Sequence, residues 1–353
     1  MCPLLHYTFG DTIRVFKNNT DLDGHTFGCH ENYSLDPKVF NGERLSKLLT
    51  FLATRQIFTG AGKINNGVYE LSQRSAHMNC SFNWGTTDKK PIINMRDEPF
   101  AVRYKRLHLI CGDANMSEMA TYLKLGTTAI VLDLLEDGVI PEINLVDPVN
   151  EVRALSRDQT YSWVVKIKRR FYETGKTMRA VDIQREYLKA AQKYVKSDPI
   201  TDDLLKKWEY VLDQLERDPM GLSNWIDWVA KRHLFGLVMQ ERKMGISDPL
   251  LEDIDLQYHE LDRYNSLFYK LQELGSIERL VTDIEIEEAT KNPPKDTRAF
   301  FRGNFVRARA NRIRTKMDSV NWDRFSIGSD TTSLLDPFDR YERHLIKLEI
   351  EPK

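Results

Sequence analysis

No apolar run in these 353 residues reaches the roughly 18 that a membrane-spanning helix needs. Cysteine is scarce, and Cys2, Cys29, Cys80 and Cys111 stand far apart with no CxxC pair. That excludes a disulfide framework and a cysteine-bound structural zinc, and points to a reducing compartment. The opening Met-Cys-Pro-Leu-Leu-His-Tyr lacks the basic and long apolar regions of a secretory signal, so a cytoplasmic location is expected. An excess of one charge is missing as well. Lys+Arg (51) and Asp+Glu (52) nearly cancel to a net −1, which predicts neither a nucleic-acid nor a membrane partner. Internal repeats and low-complexity tracts are also missing.

What is present is an ordinary globular composition, 41% hydrophobic and 29% charged, with enough chain for one large and one small domain. Residues 11–17 alternate polar and apolar as a half-buried strand does, and run into the turn-forming Asn18-Asn19-Thr20-Asp21. Helical spacing of Val39, Phe40, Leu45, Leu48, Leu49 and Leu52 predicts a helix within 38–58. Strands are predicted at 68–72, 91–94 and 107–111. A long helix is predicted over 115–137, capped by Asn115 or Ser117 and stopped by Gly138. Beyond Pro148 amphipathic helices follow at 180–194, 203–216, 223–241 and 254–274, until Pro293-Pro294 breaks the pattern. Strands early and helices later predict an α+β architecture.

Chemistry-bearing residues crowd between Asn18 and Asn115, at strand ends and turns. The clusters are Asn18–Asp21, Gly28-Cys29-His30-Glu31-Asn32-Tyr33, Ser72-Gln73-Arg74, Arg96-Asp97-Glu98-Pro99, Arg106-Leu107-His108 and Gly112-Asp113-Ala114-Asn115. Carboxylates with imidazoles suit a hard cation, and arginines suit phosphate or carboxylate, so the set fits phosphoryl chemistry. Individually each has a plainer reading. His30 fits a satisfied histidine at a turn, while Arg74 and Arg96 fit ion pairs with Glu70 and Glu98. His108 stands between Leu107 and Leu109, so its side chain faces away from theirs. Gly60-Ala61-Gly62-Lys63 lacks phosphate-loop spacing and reads as a tight turn. The arginines from Arg302 to Arg314 read as a solvated helix face, and Trp208, Trp225 and Trp228 as core. Trp322 is open between packing and stacking on a base.

Taken together and in order, these clusters resemble the family of the Pup ligase and the Pup deamidase/depupylase, relatives of glutamine synthetase. The resemblance extends through Asp182-Ile183-Gln184-Arg185-Glu186-Tyr187, Ile226-Asp227-Trp228, Pro293-Pro294, Thr297-Arg298 and Arg302-Gly303. Phe16-Lys17-Asn18-Asn19, Cys29-His30, Gly62-Lys63, Arg74-Ser75-Ala76-His77, Ile226-Asp227-Trp228-Val229 and Asp336-Pro337-Phe338 are ligase-like. Ala114, the run Thr121–Thr128 and Asp296-Thr297-Arg298-Ala299-Phe300 are deamidase-like. The ligase-like set is the longer.

The resemblance implies a glutamine-synthetase-like antiparallel sheet packed by helices, with a small C-terminal domain: residues 1–300 for the catalytic domain and 301–353 for the small one. It implies ATP and magnesium as cofactors, with His30 and His108 on the metal. Arg74 and Arg96 would hold phosphate or carboxylate, and Trp322 the nucleotide. It implies a small Pup-like modifier and lysine-bearing proteins as partners, joined by an isopeptide through an acyl phosphate. One departure stands out. Nothing before Asp11 matches the family's Gly-Ile-Glu-Thr-Glu-Phe-Gly-like strand or the segment carrying its catalytic aspartate. The chain thus resembles a member without its N-terminal segment, and no catalytic aspartate is assigned. Its rivals to the ligase are the deamidase and a non-catalytic module that binds nucleotide or the modifier.

Overall fold

The computed structural model describes residues 13–21, 23–85, 89–97, 103–168 and 175–351. Two compact units divide the chain: Met1–Arg96 with Arg106–Leu280, and Asp97–Lys105 with Val281–Lys353.

In the first unit β1 (Glu31–Leu35) is followed by α1 (Gly42–Thr54), α2 (Gln56–Thr59), and the hairpin β2 (Lys63–Asn65) and β3 (Val68–Glu70). Then come β4 (Cys80–Asn83), β5 (Pro91–Asn94), β6 (Lys105–Leu109) and the long α3 (Glu118–Glu136). A meander of β7 (Asn144–Leu145), β8 (Val164–Lys168) and β9 (Lys176–Arg179) encloses α4 (Pro148–Arg157). The unit ends in α5 (Ala180–Tyr194), α6 (Pro199–Arg217), α7 (Asp227–Arg242), α8 (Leu250–Tyr258) and α9 (Leu267–Glu273). The central sheet has the order β1-β6-β5-β4. Within it β5 and β6 are antiparallel, whereas β4 and β5 run parallel. The α+β expectation is met.

Local chemistry accounts for most element ends. Asn41 caps α1 by accepting from the Arg44 N–H at 3.0 Å, and Ser117 caps α3 by accepting from the Ala120 N–H at 3.2 Å. Gly138, at φ 73°, takes the left-handed position that ends α3. Gly62, at φ 68°, makes the tight turn into β2, and its N–H donates to the Leu71 carbonyl at 2.8 Å. Leu45, Leu48, Leu49 and Phe51 of α1 bury against the helical layer, where the Phe51, Tyr187 and Trp208 rings meet edge to face.

Two expectations are corrected. The predicted helix over 254–274 is two helices, because the Asp262 carbonyl and carboxylate draw in the Ser266 and Tyr264 N–H groups and turn the chain. The strand predicted over 11–17 survives among its described residues only as an antiparallel bridge between Phe16 and Glu260, with residues 11 and 12 lying outside them. A bidentate Arg14–Glu260 pair at 2.9 and 2.8 Å flanks that bridge.

In the second unit a capping box at Thr282 and Glu285 starts α10 (Asp283–Lys291), and α11 (Ala299–Arg314) follows. An antiparallel meander of β10 (Asp318–Val320), β11 (Arg324–Ile327) and β12 (Asp330–Ser333) precedes α12 (Glu342–Lys347). Its core is Phe300, Phe301, Phe305, Phe325, Leu334 and Leu345. No described helix is long and apolar enough to cross a membrane.

Candidate active site

Sheet geometry brings the two candidate histidines together. His108 lies on β6, the strand between β1 and β5, and His30 immediately precedes β1. Leu107 and Leu109 point into the core, so the alternation of a strand turns His108 to the other face. There its Nε2 stands 3.0 Å from His30 Nδ1. Gly28 leaves room for this, since a Cβ on it would stand 2.3 Å from His30 Nε2. Burial, then Arg74 and Arg106, lowers the His30 pKa. Burial, then Arg106 and His30, takes His108 down to about 4.

Both rings are therefore neutral at neutral pH and offer lone pairs. A folded-state pKa below the ordinary histidine value of about 6.5 opposes folding as pH falls from there towards the folded-state value. We expect the His108 ring signal in a proton NMR titration to stay unprotonated down to about pH 5. An ordinary midpoint near 6.5 would remove the burial argument.

These residues fit part of a cation site. His108 Nδ1 is buried with no hydrogen-bond partner, and the facing nitrogens, hydrogen-bonded to each other at 3.0 Å, are close enough to serve as two neighbouring ligands of one metal, at metal–nitrogen bonds of about 2.1 Å, once that bond is given up. Among the described residues no carboxylate is bonded to either ring, and magnesium takes mostly oxygen ligands.

Behind the histidines lies an ion pair that the sequence hides. Glu31 turns inward to Arg55 on two bonds, at 2.5 and 3.0 Å, and accepts from the Tyr33 hydroxyl at 2.7 Å. Burial works to raise the Glu31 pKa, but Arg55 and Lys124 outweigh it and hold the carboxyl below its ordinary range. Gly112 is required beside it, because a Cβ there would stand 2.5 Å from Glu31 Oε1.

Asp113 organises the rest. Its buried carboxylate accepts from the Ala61, Gln73 and Arg74 N–H groups at 2.7, 3.0 and 3.0 Å, and from the Ser72 hydroxyl at 2.9 Å. The Ser72-Gln73-Arg74 turn is thus folded around one side chain. Asn19 closes a ring with it. Its N–H donates to Gln73 Oε1 at 2.7 Å, and its own Oδ1 accepts from the Ala114 N–H at 2.6 Å. Lys124 of α3 donates to the Asp113 carbonyl at 2.6 Å and to Asn115 Oδ1 at 2.8 Å. Asn115 in turn donates to Asp227 at 2.9 Å.

Arg74 does not form the ion pair of the plainer reading, since Glu70 is held by Arg157 at 2.9 Å; the Glu98 partner expected for Arg96 lies outside the described residues. Arg74 is buried, with its guanidinium on the Ile110 and Phe27 carbonyls and the Thr26 hydroxyl. Arg96 is exposed just past β5, its N–H on Asn94 Oδ1 at 2.9 Å. Trp322 belongs to the second unit, half exposed, with the Arg302 guanidinium 4.1 Å above its ring.

A cavity of about 620 Å³ opens beside the Asn19–Gln73 link. Asn18, Thr20, Asp21, Gln73, Asp255 and His259 are on its wall. Sequence reasoning gave no site role to Arg55, Lys124, Asp227, Lys231 and His259, which sit in helices or past a helix end. The signal was a charged or amide residue at a position the helical period places inward, as Lys124 is beside Leu123 and Thr127.

Residues 4–326 match the family described as Pup-ligase protein. A depupylase of Acidothermus cellulolyticus is 39% identical over 329 residues, 89% of this chain and 64% of that protein. A Pup–protein ligase of Kineococcus radiotolerans is 38% identical over 350 residues, 94% of this chain and 76% of that one. The solved structure of the Pup ligase PafA with ADP superposes at TM-score 0.84 with 33% identity, covering 96% of this chain and 76% of that one. A second, of PafA in complex with Pup, gives 0.82 at 33% identity over 95% and 71%. This chain spans just under two thirds of the length of the depupylase.

Proposed function

The chain belongs to the Pup-ligase family, and from that premise we propose that it is an ATP-dependent ligase acting on a Pup-like modifier. Its reaction would transfer the terminal phosphoryl group of ATP to the modifier's C-terminal glutamate, releasing ADP. A lysine amine of the target then attacks the acyl phosphate, forming the isopeptide and releasing phosphate. The observation that carries this reading is the His30–His108 pair on the face of the sheet opposite Leu107 and Leu109, with Arg74, from the turn locked by Asp113, close enough to act on His30. In a phosphoryl site the protein mainly positions groups and neutralises charge.

His30 and His108 would hold magnesium, which supplies charge neutralisation at the phosphates. Arg96 and the remaining N–H of Arg74 would meet phosphate or carboxylate. Trp322 with Arg302 would stack on the base, which assigns that role to the small domain at 301–353 and catalysis to 1–300. Free Cys29, Cys80 and Cys111 fit the cytoplasm. The depupylase relative and the buried Ala114 favour a second reading, hydrolysis of the same bond or of a terminal glutamine.

The test combines the chain with ATP, magnesium, a lysine-bearing protein and a modifier ending in glutamate. A covalent adduct with equimolar ADP is the expected result. Loss of a preformed adduct, or conversion of a terminal glutamine to glutamate, would replace the ligase by the second reading. His108→Ala is expected to weaken magnesium–nucleotide binding by at least about tenfold, the scale on which metal sites respond to damage of their ligand sphere. Unchanged affinity removes His108 from the metal.

A further inference from the structure

Behind the cavity a line of buried polar groups runs from Gln73 into α7 and the end of α8. Lys231 on α7 and His259, one residue past α8, are both buried. His259 Nδ1 is 2.8 Å from the Lys17 carbonyl, which can only accept, so that nitrogen carries the ring proton. Nε2 is then the acceptor, and two donors converge on it: Gln73 Nε2 at 3.0 Å and Lys231 Nζ at 3.1 Å. Lys231 also donates to the Gly62 carbonyl at 2.6 Å and pairs with Asp255. Burial, and after it Lys231, keeps the His259 pKa well below its ordinary value, as a neutral ring requires.

This sets the sense of the Gln73 amide. Its nitrogen faces His259 and the Gly62 carbonyl at 3.0 Å, and its oxygen faces the Asn19 N–H at 2.7 Å. Flipping the amide would set donor against donor at Asn19 and acceptor against acceptor at Gly62. Lys17 is gripped a second time, its N–H donating to the His259 carbonyl at 2.8 Å. The strip Lys17–Asn19 is thus held at one end by His259 and at the other by Gln73, which leaves Asn18 between them on the cavity wall.

We propose that Lys231 and His259 are positioning residues that hold Gln73 in one amide orientation and thereby fix the Asn18–Thr20 wall of the cavity that Gln73 and His259 line. The inference rests on the ligase reading for its consequence in catalysis, but its structural content is separately measurable. His259→Leu removes both ring nitrogens. His259→Gln keeps one donor and one acceptor in a single side chain.

In the 353-residue chain, hydrogen exchange at the Asn19 amide is expected to speed up at least about tenfold in His259→Leu and to return to within about threefold in His259→Gln. The α3 amides should stay protected in both, which separates this effect from general loosening. The adduct assay should show kcat falling at least about tenfold for leucine and recovering for glutamine. Should His259→Leu fail to fold, Lys231→Met, which removes the other donor to His259 Nε2, is expected to give the same local exchange at Asn19. Unchanged exchange at Asn19, or faster exchange with kcat at the wild-type value, overturns the proposal. If the wild-type chain forms no adduct, the ligase reading fails, and the Asn19 exchange alone decides the clasp.

Discussion

Asp113→Ala is expected to lower the unfolding free energy by about 3–6 kcal/mol, a large share of the roughly 5–15 kcal/mol typical of a folded protein. The carboxylate is buried and satisfies three backbone N–H groups and one hydroxyl. Removing it leaves those donors unpaired, at about 1–3 kcal/mol each before water or relaxation compensates. Burial alone pushes the Asp113 pKa up, and the backbone donors of Ala61 and Gln73 are the first groups to oppose that. Asp113→Asn keeps one oxygen acceptor on one side but presents donors on the other, so a smaller loss is expected. Urea denaturation measures both. A loss below about 1 kcal/mol for alanine would mean that the turn at Ser72–Arg74 holds without its hub.

Arg55→Met is expected to cost about 3–5 kcal/mol, because it strands Glu31 as a buried charge without its partner. Side chains of both residues are almost wholly buried, at 2% and 3% exposure, so solvent screening does not soften the effect. Adding Glu31→Leu should recover most of the loss, since paired removal leaves no uncompensated charge. The pH dependence has a definite sign. In the wild type Glu31 is held below its ordinary value, so its contribution is present above the unfolded pKa of about 4.3 and is lost as pH falls through the folded value. In Arg55→Met burial acts unopposed by the guanidinium, and protonation of Glu31 becomes favourable. The gap between variant and wild type should therefore narrow from pH 7 to pH 5, and a gap that widens would show that Glu31 is not the stranded group.

Much of the site was legible in the chain because its motifs are local. Strand alternation alone turned His108 away from Leu107 and Leu109, and the structure seats it beside His30. Turn chemistry marked Asn18–Asp21 and Gly60–Gly62, where backbone sterics and short side chains leave few choices. Helix 115–137 was readable from its caps and its stop. The break at Asp262 was not. Apolar spacing continued past it, while a local carboxylate–backbone bond decided the turn.

The sequence by itself determined the longer helices of the first unit, its strands β3, β5 and β6, and which motifs stand between Asn18 and Asn115, while β1, β2, β4, β7 to β9 and α4 were not read from it. It could do so because period and capping act within a few residues. Only the tertiary structure decided what those motifs do for one another. Arg74 reads as a phosphate clamp in the chain and is found on the Ile110 and Phe27 carbonyls. Glu31 stands beside His30 in a cluster of the kind that suits a hard cation and is found on Arg55. Asp113 becomes a hub, and His259, far along the chain, orients Gln73. Burial makes each buried polar group find a partner, and that partner comes from whichever segment the fold brings near, which no local pattern encodes.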